Sequence, residues 1–364
     1  MELLQVKNKR TRNNNSIPIS KTLEASSRQE SNVIDESIAK DETANNETVI
    51  KQEAVEVVSN GNAFIEANTV EVSFEEVKDK HIIPVFIKDN EPVISHTEFI
   101  EAMVYEVQQV YHAETILKPS IRLSHPIKGR IPEAKNKSAS ELLEHERTIY
   151  YERMAFIIEI PSVYDEIEGC KVSLCVGGVK AYNIDNLYNR KGADEHFKIF
   201  IGFKNSVCTN LCIWTDGLQS DLKVQNLNQL KACILTMISN FNPVYQLRQS
   251  ATLLDYSLTE QQFAHLIGKC RMYQCLSNEQ KKHIPFFPLG DAQLSSVCKG
   301  YYNDENFKRN EDGSINLWKL YNLFTGANKT SYIDNFIERS AESYQFTENI
   351  KRAFQKETEN WFLN

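Results

Sequence analysis

Two alternating runs in the middle of this 364-residue chain constrain it to build a β-sheet. In Lys171–Ile184, KVSLCVGGVKAYNI, the residues Val172, Leu174, Val176, Tyr182 and Ile184 share one parity. Lys171, Ser173 and Asn183 share the other. A period of two is the mark of a strand with one buried face. Gly177-Gly178 interrupts it and predicts a bulge, a bend, or a point where another group closely approaches the backbone. In Phe197–Trp214, the apolar Phe197, Ile199, Ile201 and Phe203 alternate with Lys198 and Lys204. Lys204-Asn205-Ser206 then reads as a tight turn between paired strands or a bulge in one long strand, and Asp216-Gly217 as the turn that ends the sheet.

The flanking chain extends this sheet. Ile149–Ile160 alternates as a strand, with Met154, Phe156, Ile158 and Ile160 on one face and Pro161 closing it. Its links to the central strands are too short for helical crossovers, so the pairing is antiparallel. His81–Ile94 reads as a hairpin turning at Asp89-Asn90-Glu91-Pro92. Ser95 and Glu98 have the spacing of a capping box for a helix running to about Tyr111. Ser140–Arg147 reads as a short polar helix.

After Gly217 the period changes to that of helices. Leu227, Leu230, Ile234, Met237, Ile238 and Phe241 recur at helical spacing, and Asn242-Pro243 starts the next helix. Ser257 and Glu260 read as a second capping box. Further helices are expected at Ala292–Tyr302, Leu317–Phe324 and Tyr332–Gln355. Residues 1–70 are rich in Asn, Ser, Glu and Thr and poor in aromatics. Such a segment buries too little apolar surface to offset its ordering entropy, so a disordered tail is expected there. The fold class is α+β: a mainly antiparallel sheet (71–217) packed by C-terminal helices (218–364), as a single domain 71–364.

Cations gather in one segment. Lys118–Lys137, KPSIRLSHPIKGRIPEAKNK, carries Lys118, Arg122, Lys128, Arg130, Lys135 and Lys137 against Glu133 alone. Its prolines and Gly129 predict loop or extended chain. Exposed cations and free backbone N–H groups are what phosphate contacts need. A second basic tip is expected at Arg190-Lys191, with Tyr182 and Tyr188 nearby as stacking aromatics. The candidate nucleic-acid-binding residues are therefore Arg122, His125, Lys128, Arg130, Lys135, Lys137, Tyr182, Tyr188, Arg190 and Lys191. His125 is included because its basic neighbours would depress its pKa and favour the neutral imidazole. The formal net charge of −8 excludes a generally basic coat but not a local patch.

The segments CVGGVKAYN, EHFKIFIGFKNSVCTNLCIWTDG and LWKLYNLFTGANKTSYIDNF resemble an uncharacterised protein family carried by mobile elements of Bacteroidetes, over roughly Glu71 to Asn364. The V-C-x-N segment at Val207, Cys208 and Asn210 is similar to a broader group of phage- and plasmid-like proteins. The resemblance implies no known activity and no functional residues.

Motifs for other chemistry fall short. TGANKT at Thr325–Thr330 has Asn328 where a phosphate-cradling loop needs glycine before the lysine. NEDGSIN at Asn310–Asn316 would put Lys308 and Lys319 at calcium-ligating positions. The eight cysteines form no C-x-x-C and lie mostly in apolar runs, which predicts reduced core thiols in a cytoplasmic protein. No stretch approaches a membrane span of about 20 apolar residues. Neither catalytic residues, nor a metal site, nor a cofactor is indicated. The function expected is a non-enzymatic nucleic-acid-binding accessory protein of a mobile element, with DNA or RNA as partner. The alternatives are a protein-interaction module, such as an inhibitor of a host defence enzyme, and an enzyme of unrecognised type.

Overall fold

The computed structural model describes residues 63–80, 93–124, 126–138, 140–187 and 192–364. Most of the polar tail and nearly all of the expected His81–Ile94 hairpin lie outside these residues. Phe64 and Ile65, which composition assigns to the tail, are buried in the fold.

The frame is a six-stranded sheet. Its strands are β1 (Thr69–Val72), β2 (Ser120–Ser124), β5 (Arg153–Ile167), β6 (Cys170–Ala181), β7 (Glu195–Asn205) and β8 (Leu211–Val224), hydrogen-bonded in that order. Every pairing is antiparallel. A separate two-stranded ribbon pairs β3 (Pro126–Arg130) with β4 (Arg147–Tyr151). The short helix α1 (Phe74–Lys80) follows β1.

The period-two pattern sorts the sheet into two faces. On the first, Met154, Phe156, Ile158, Leu174, Val176, Ile199 and Ile201 are buried. They join one core with α2 (His96–Val110), through Phe99 and Met103, and with α4 (Leu227–Asn240), through Leu230 and Ile234. On the second, Ile157, Cys175, Val179 and Phe200 pack with Phe64, Ile65 and the start of α10 (Ile333–Lys356), whose Phe336 and Ile337 are buried there. The Ser95 box caps α2 as expected: Glu98 N–H donates to Ser95 Oγ at 3.1 Å, and Ser95 N–H donates to Glu98 Oε2 at 2.7 Å.

Gly177-Gly178 is not a bulge. β6 keeps register with both neighbours through it. Close approach is the reason for glycine here. A Cβ on Gly177 would lie 2.2 Å from Phe156 O, and one on Gly178 would lie 2.4 Å from Phe99 Cζ. Lys204-Asn205-Ser206 does lead into a turn between paired strands.

Three punctuation signals act differently from the sequence expectation. Pro161 does not end β5; the register shifts between Ile160 and Tyr164, and the strand runs on to Ile167. A bulge leaves proline's missing N–H without a ladder partner to lose. Asp216-Gly217 does not end the sheet either, because β8 resumes pairing at Leu218. The second capping box forms at Thr259 and Gln262 instead of Ser257 and Glu260, since Ser257 pairs with Asn316 in a small bridge.

The C-terminal half is helical. After α4 come α5 (Pro243–Ala251), α6 (Glu260–Cys275), α7 (Asn278–Lys281), α8 (Asp291–Asn303), α9 (Leu317–Asn328) and α10. Two-residue strands β9 (Ser257–Leu258) and β10 (Ile315–Asn316) pair with each other. A six-residue helix, α3 (Tyr182–Leu187), links β6 to β7.

Candidate nucleic-acid interface

Of the loop or extended forms expected for Lys118–Lys137, the extended one is taken over most of its first half. The segment supplies β2 and then β3, whose Ser120–Leu123 and Pro126–Arg130 pair with the chain between Arg147 and Ile157. Leu123 lies opposite Met154, and Pro126 opposite Tyr151, with two residues intervening on each strand. The two pairings are therefore in one register, and the ribbon is the β2–β5 hairpin carried on beyond the sheet. Ile131 N–H donates to Glu146 O at 3.0 Å, one further rung. The tip is residues 132–145; single 3₁₀ turns occur at its start, Pro132–Ala134, and across its end, Glu144–Glu146. The short helix expected over Ser140–Arg147 is reduced to the second of these turns, because Arg147 already belongs to β4.

Along the arm, alternate residues share a face. Lys128 and Arg130 are two apart on β3, and Arg130 lies directly opposite Arg147 on β4. Three cationic positions thus share one face of a two-stranded ribbon. Like charges directly opposite each other are unfavourable in a sheet. Arg147 is exposed. At the tip Lys135 is exposed, while Lys137 pairs with Glu146 at 2.5 Å. That contact and the Leu143 N–H hold the Glu146 carboxyl below its ordinary pKa.

Arg122 and Tyr182 have internal partners. Arg122 donates from Nε to Thr69 Oγ1 and from a terminal nitrogen to Thr69 O, both at 3.0 Å, and lies 3.7 Å from Glu71. It fastens edge strand β1 to β2. Burial lowers its pKa, against the opposing pull of Glu71 and Glu66. Tyr182 is buried and stacked on His96, with ring centroids 4.3 Å apart, and its hydroxyl accepts the His96 N–H at 3.2 Å. Lys128 and Arg130 stand on the arm, and Lys135 and Lys137 at its tip. His125, Tyr188, Arg190 and Lys191 lie outside the described residues.

The root of the arm is braced on both sides of the sheet. On the first face Lys180, fully buried, donates to Glu195 at 2.8 Å and Asp185 at 3.3 Å. Its ammonium lies 4.0 Å from the centre of the Phe197 ring. Glu195 also accepts the Ile94 N–H on both oxygens, at 3.1 Å. A buried ammonium is tolerated only with such pairing. His96 Nε2 contacts Tyr151 O at 2.9 Å, which ties α2 to the last residue of β4.

On the second face a cleft of about 490 Å³ opens between β1, the β2–β5 pair and the first turn of α10. Arg153 crosses it. Its Nε donates to Asp334 Oδ2 at 2.7 Å, and it also pairs with Glu152. Burial lowers the Arg153 pKa, but the two carboxylates outweigh it and the net shift is upward. Ser124 Oγ accepts the Arg153 N–H at 3.2 Å. Tyr332, at the N-cap of α10, is 69% exposed on the cleft's rim.

The chain from residue 43 to 363 matches the model of a family described as "Domain of unknown function, B. Theta Gene description (DUF3871)". The chain belongs to that family. No curated protein and no solved structure matches it.

In this DUF3871 chain the V-C-x-N and TGANKT segments meet inside the fold. Asn210 donates to Asn322 O at 2.9 Å. Lys329 donates to Cys208 O and, at 2.9 Å, to Thr209 Oγ1. Thr209 adopts a φ of 57°, a left-handed conformation that is costly for a β-branched residue. These segments serve architecture. Among the described residues no cluster of His, Cys, Asp or Glu could hold a metal ion, and no helix is long and apolar enough to cross a membrane. Cys175, Cys212 and Cys270 are buried, and burial pushes each thiol up.

Sequence reading missed Arg147, Arg153 and Tyr332. For Arg147 the signal was present: continuing the Ile149–Ile160 alternation two residues back would have put a second arginine on the cationic strand pair. Nothing local pointed to Tyr332, which is brought to the cleft from the far end of the chain.

Proposed function

We propose that this protein is a non-enzymatic accessory factor that binds nucleic acid, of the kind carried by a mobile element, and that the arm makes the phosphate contacts. The observation that carries the reading is Arg130 directly opposite Arg147, with Lys128 on the same face of a ribbon that projects from the sheet. Their mutual repulsion would be relieved by an anion laid between them, and a row of cations along a strand matches a row of phosphates. The resemblance to proteins of mobile elements supports the genomic setting. The overall charge of −8 repels polyanions elsewhere, so contact is confined to the arm.

The test is a mobility-shift series with labelled single- and double-stranded DNA and RNA at rising salt. Three phosphate contacts predict a slope of log affinity against log salt of about −2 for a single strand. Lys128→Glu with Arg130→Glu should weaken binding at least tenfold at low salt and flatten that slope by roughly two contacts' worth. No shift of any strand at low salt would sink the reading.

A further inference from the structure

We infer that the cleft at the arm's root receives one unstacked nucleobase carrying an exocyclic amino group, as adenine, cytosine and guanine do, while the arm holds the neighbouring phosphates. The inference rests on the proposed nucleic-acid binding and adds a site to it.

The cleft differs in chemistry from the arm beside it. Among the described residues Arg153 is its one cationic wall residue, and it is already shared between Glu152 and Asp334. With two carboxylates to one guanidinium, the wall repels phosphate. It favours a neutral group that donates hydrogen bonds. A volume of about 490 Å³ lies in the range of small-ligand pockets. The rim offers an aromatic side chain, since Tyr332, at the N-cap of α10, is 69% exposed. A tyrosine held out of the core beside a cleft is a platform on which any base can stack.

Hydrogen-bond polarity then selects among the bases. Carboxylates accept, so they suit the amino group of cytosine, adenine or guanine. Thymine presents two carbonyl oxygens flanking its ring N–H, and these would face the carboxylates with like partial charge. A base can enter only when out of its stack, so a single strand is preferred over a duplex. Ser124, Glu152 and Arg153 lie where the arm leaves the sheet, so the cleft adjoins the arm's root.

The experiment measures binding of labelled oligo(dA), oligo(dC) and oligo(dT), and of an abasic strand of equal length, to the full chain and to Tyr332→Ala. Tyr332 is on the surface, so its loss leaves the fold intact, checked by an unchanged melting temperature. The wild-type chain should bind oligo(dA) and oligo(dC) on the order of tenfold more tightly than the abasic strand, with oligo(dT) between. Tyr332→Ala should lose that preference while keeping its salt slope. Equal wild-type affinity for all four strands, or a preference that survives in Tyr332→Ala, would overturn the base site and leave arm binding standing. Failure of the wild-type chain to bind any strand would overturn both.

Discussion

The inner and outer halves of one hairpin make the instructive comparison in this molecule. Both halves belong to the same two strands and share one register. In the inner half Ile121, Leu123, Met154 and Phe156 are fully buried between α2 and the sheet's neighbours. In the outer half the opposite face, which continues that of the buried Ala155 and Ile157, carries the positions of Lys128, Arg130 and Arg147. Backbone pairing is therefore not what separates scaffold from contact surface. Side-chain chemistry alone changes along a continuous ladder, and it changes at Glu152-Arg153, where the braces sit.

If that division is right, substitutions should sort by which half they touch. Phe156→Ala, which removes an aromatic ring packed edge-on against Phe99 at 5.1 Å, should cost about 3–5 kcal/mol in chemical denaturation. Lys180→Met should cost roughly 3 kcal/mol or more, because it leaves Asp185 and Glu195 buried without their cation. The double change Lys128→Glu, Arg130→Glu should alter stability by no more than about 0.5 kcal/mol while weakening nucleic-acid binding. An arm variant as destabilising as the core variant would erase the distinction.

A subtler effect concerns α10, where burial and then the Glu338 charge raise the Glu342 carboxyl's pKa. A carboxyl raised in the folded state takes up protons more readily there than in the unfolded chain. It lowers stability as pH climbs through its folded pKa, and below the unfolded value the penalty is gone. Glu342→Gln should thus raise the melting temperature slightly near neutral pH, by less than about 1 kcal/mol in stability after solvent screening, and lose that advantage in acid.

How much of this was legible beforehand follows from the range of each signal. Alternation in Lys171–Ile184 and Phe197–Trp214 identified the central strands, and the Ser95 box located α2, because those signals are local. Pro161 and Asp216-Gly217 misled as stops, since a bulge accommodates both without ending a strand. The basic segment was seen as a cluster of charge. Its three prolines and Gly129 left loop and extended chain both open, because the partner that makes it a ribbon lies beyond the turn. Arg122 was read as a phosphate contact, but cross-strand pairing to Thr69 and Glu71, about fifty residues away, occupies it. The cleft was invisible because Arg153 and Asp334 are far apart in sequence.

The shared register has a genealogical consequence. A single residue gained or lost anywhere along the arm's stem would turn either the cations or the buried aromatics to the opposite side. Length changes are absorbed without penalty only between residues 132 and 145. Relatives of this chain should therefore differ freely in the size of that fingertip while keeping the stem's count unchanged.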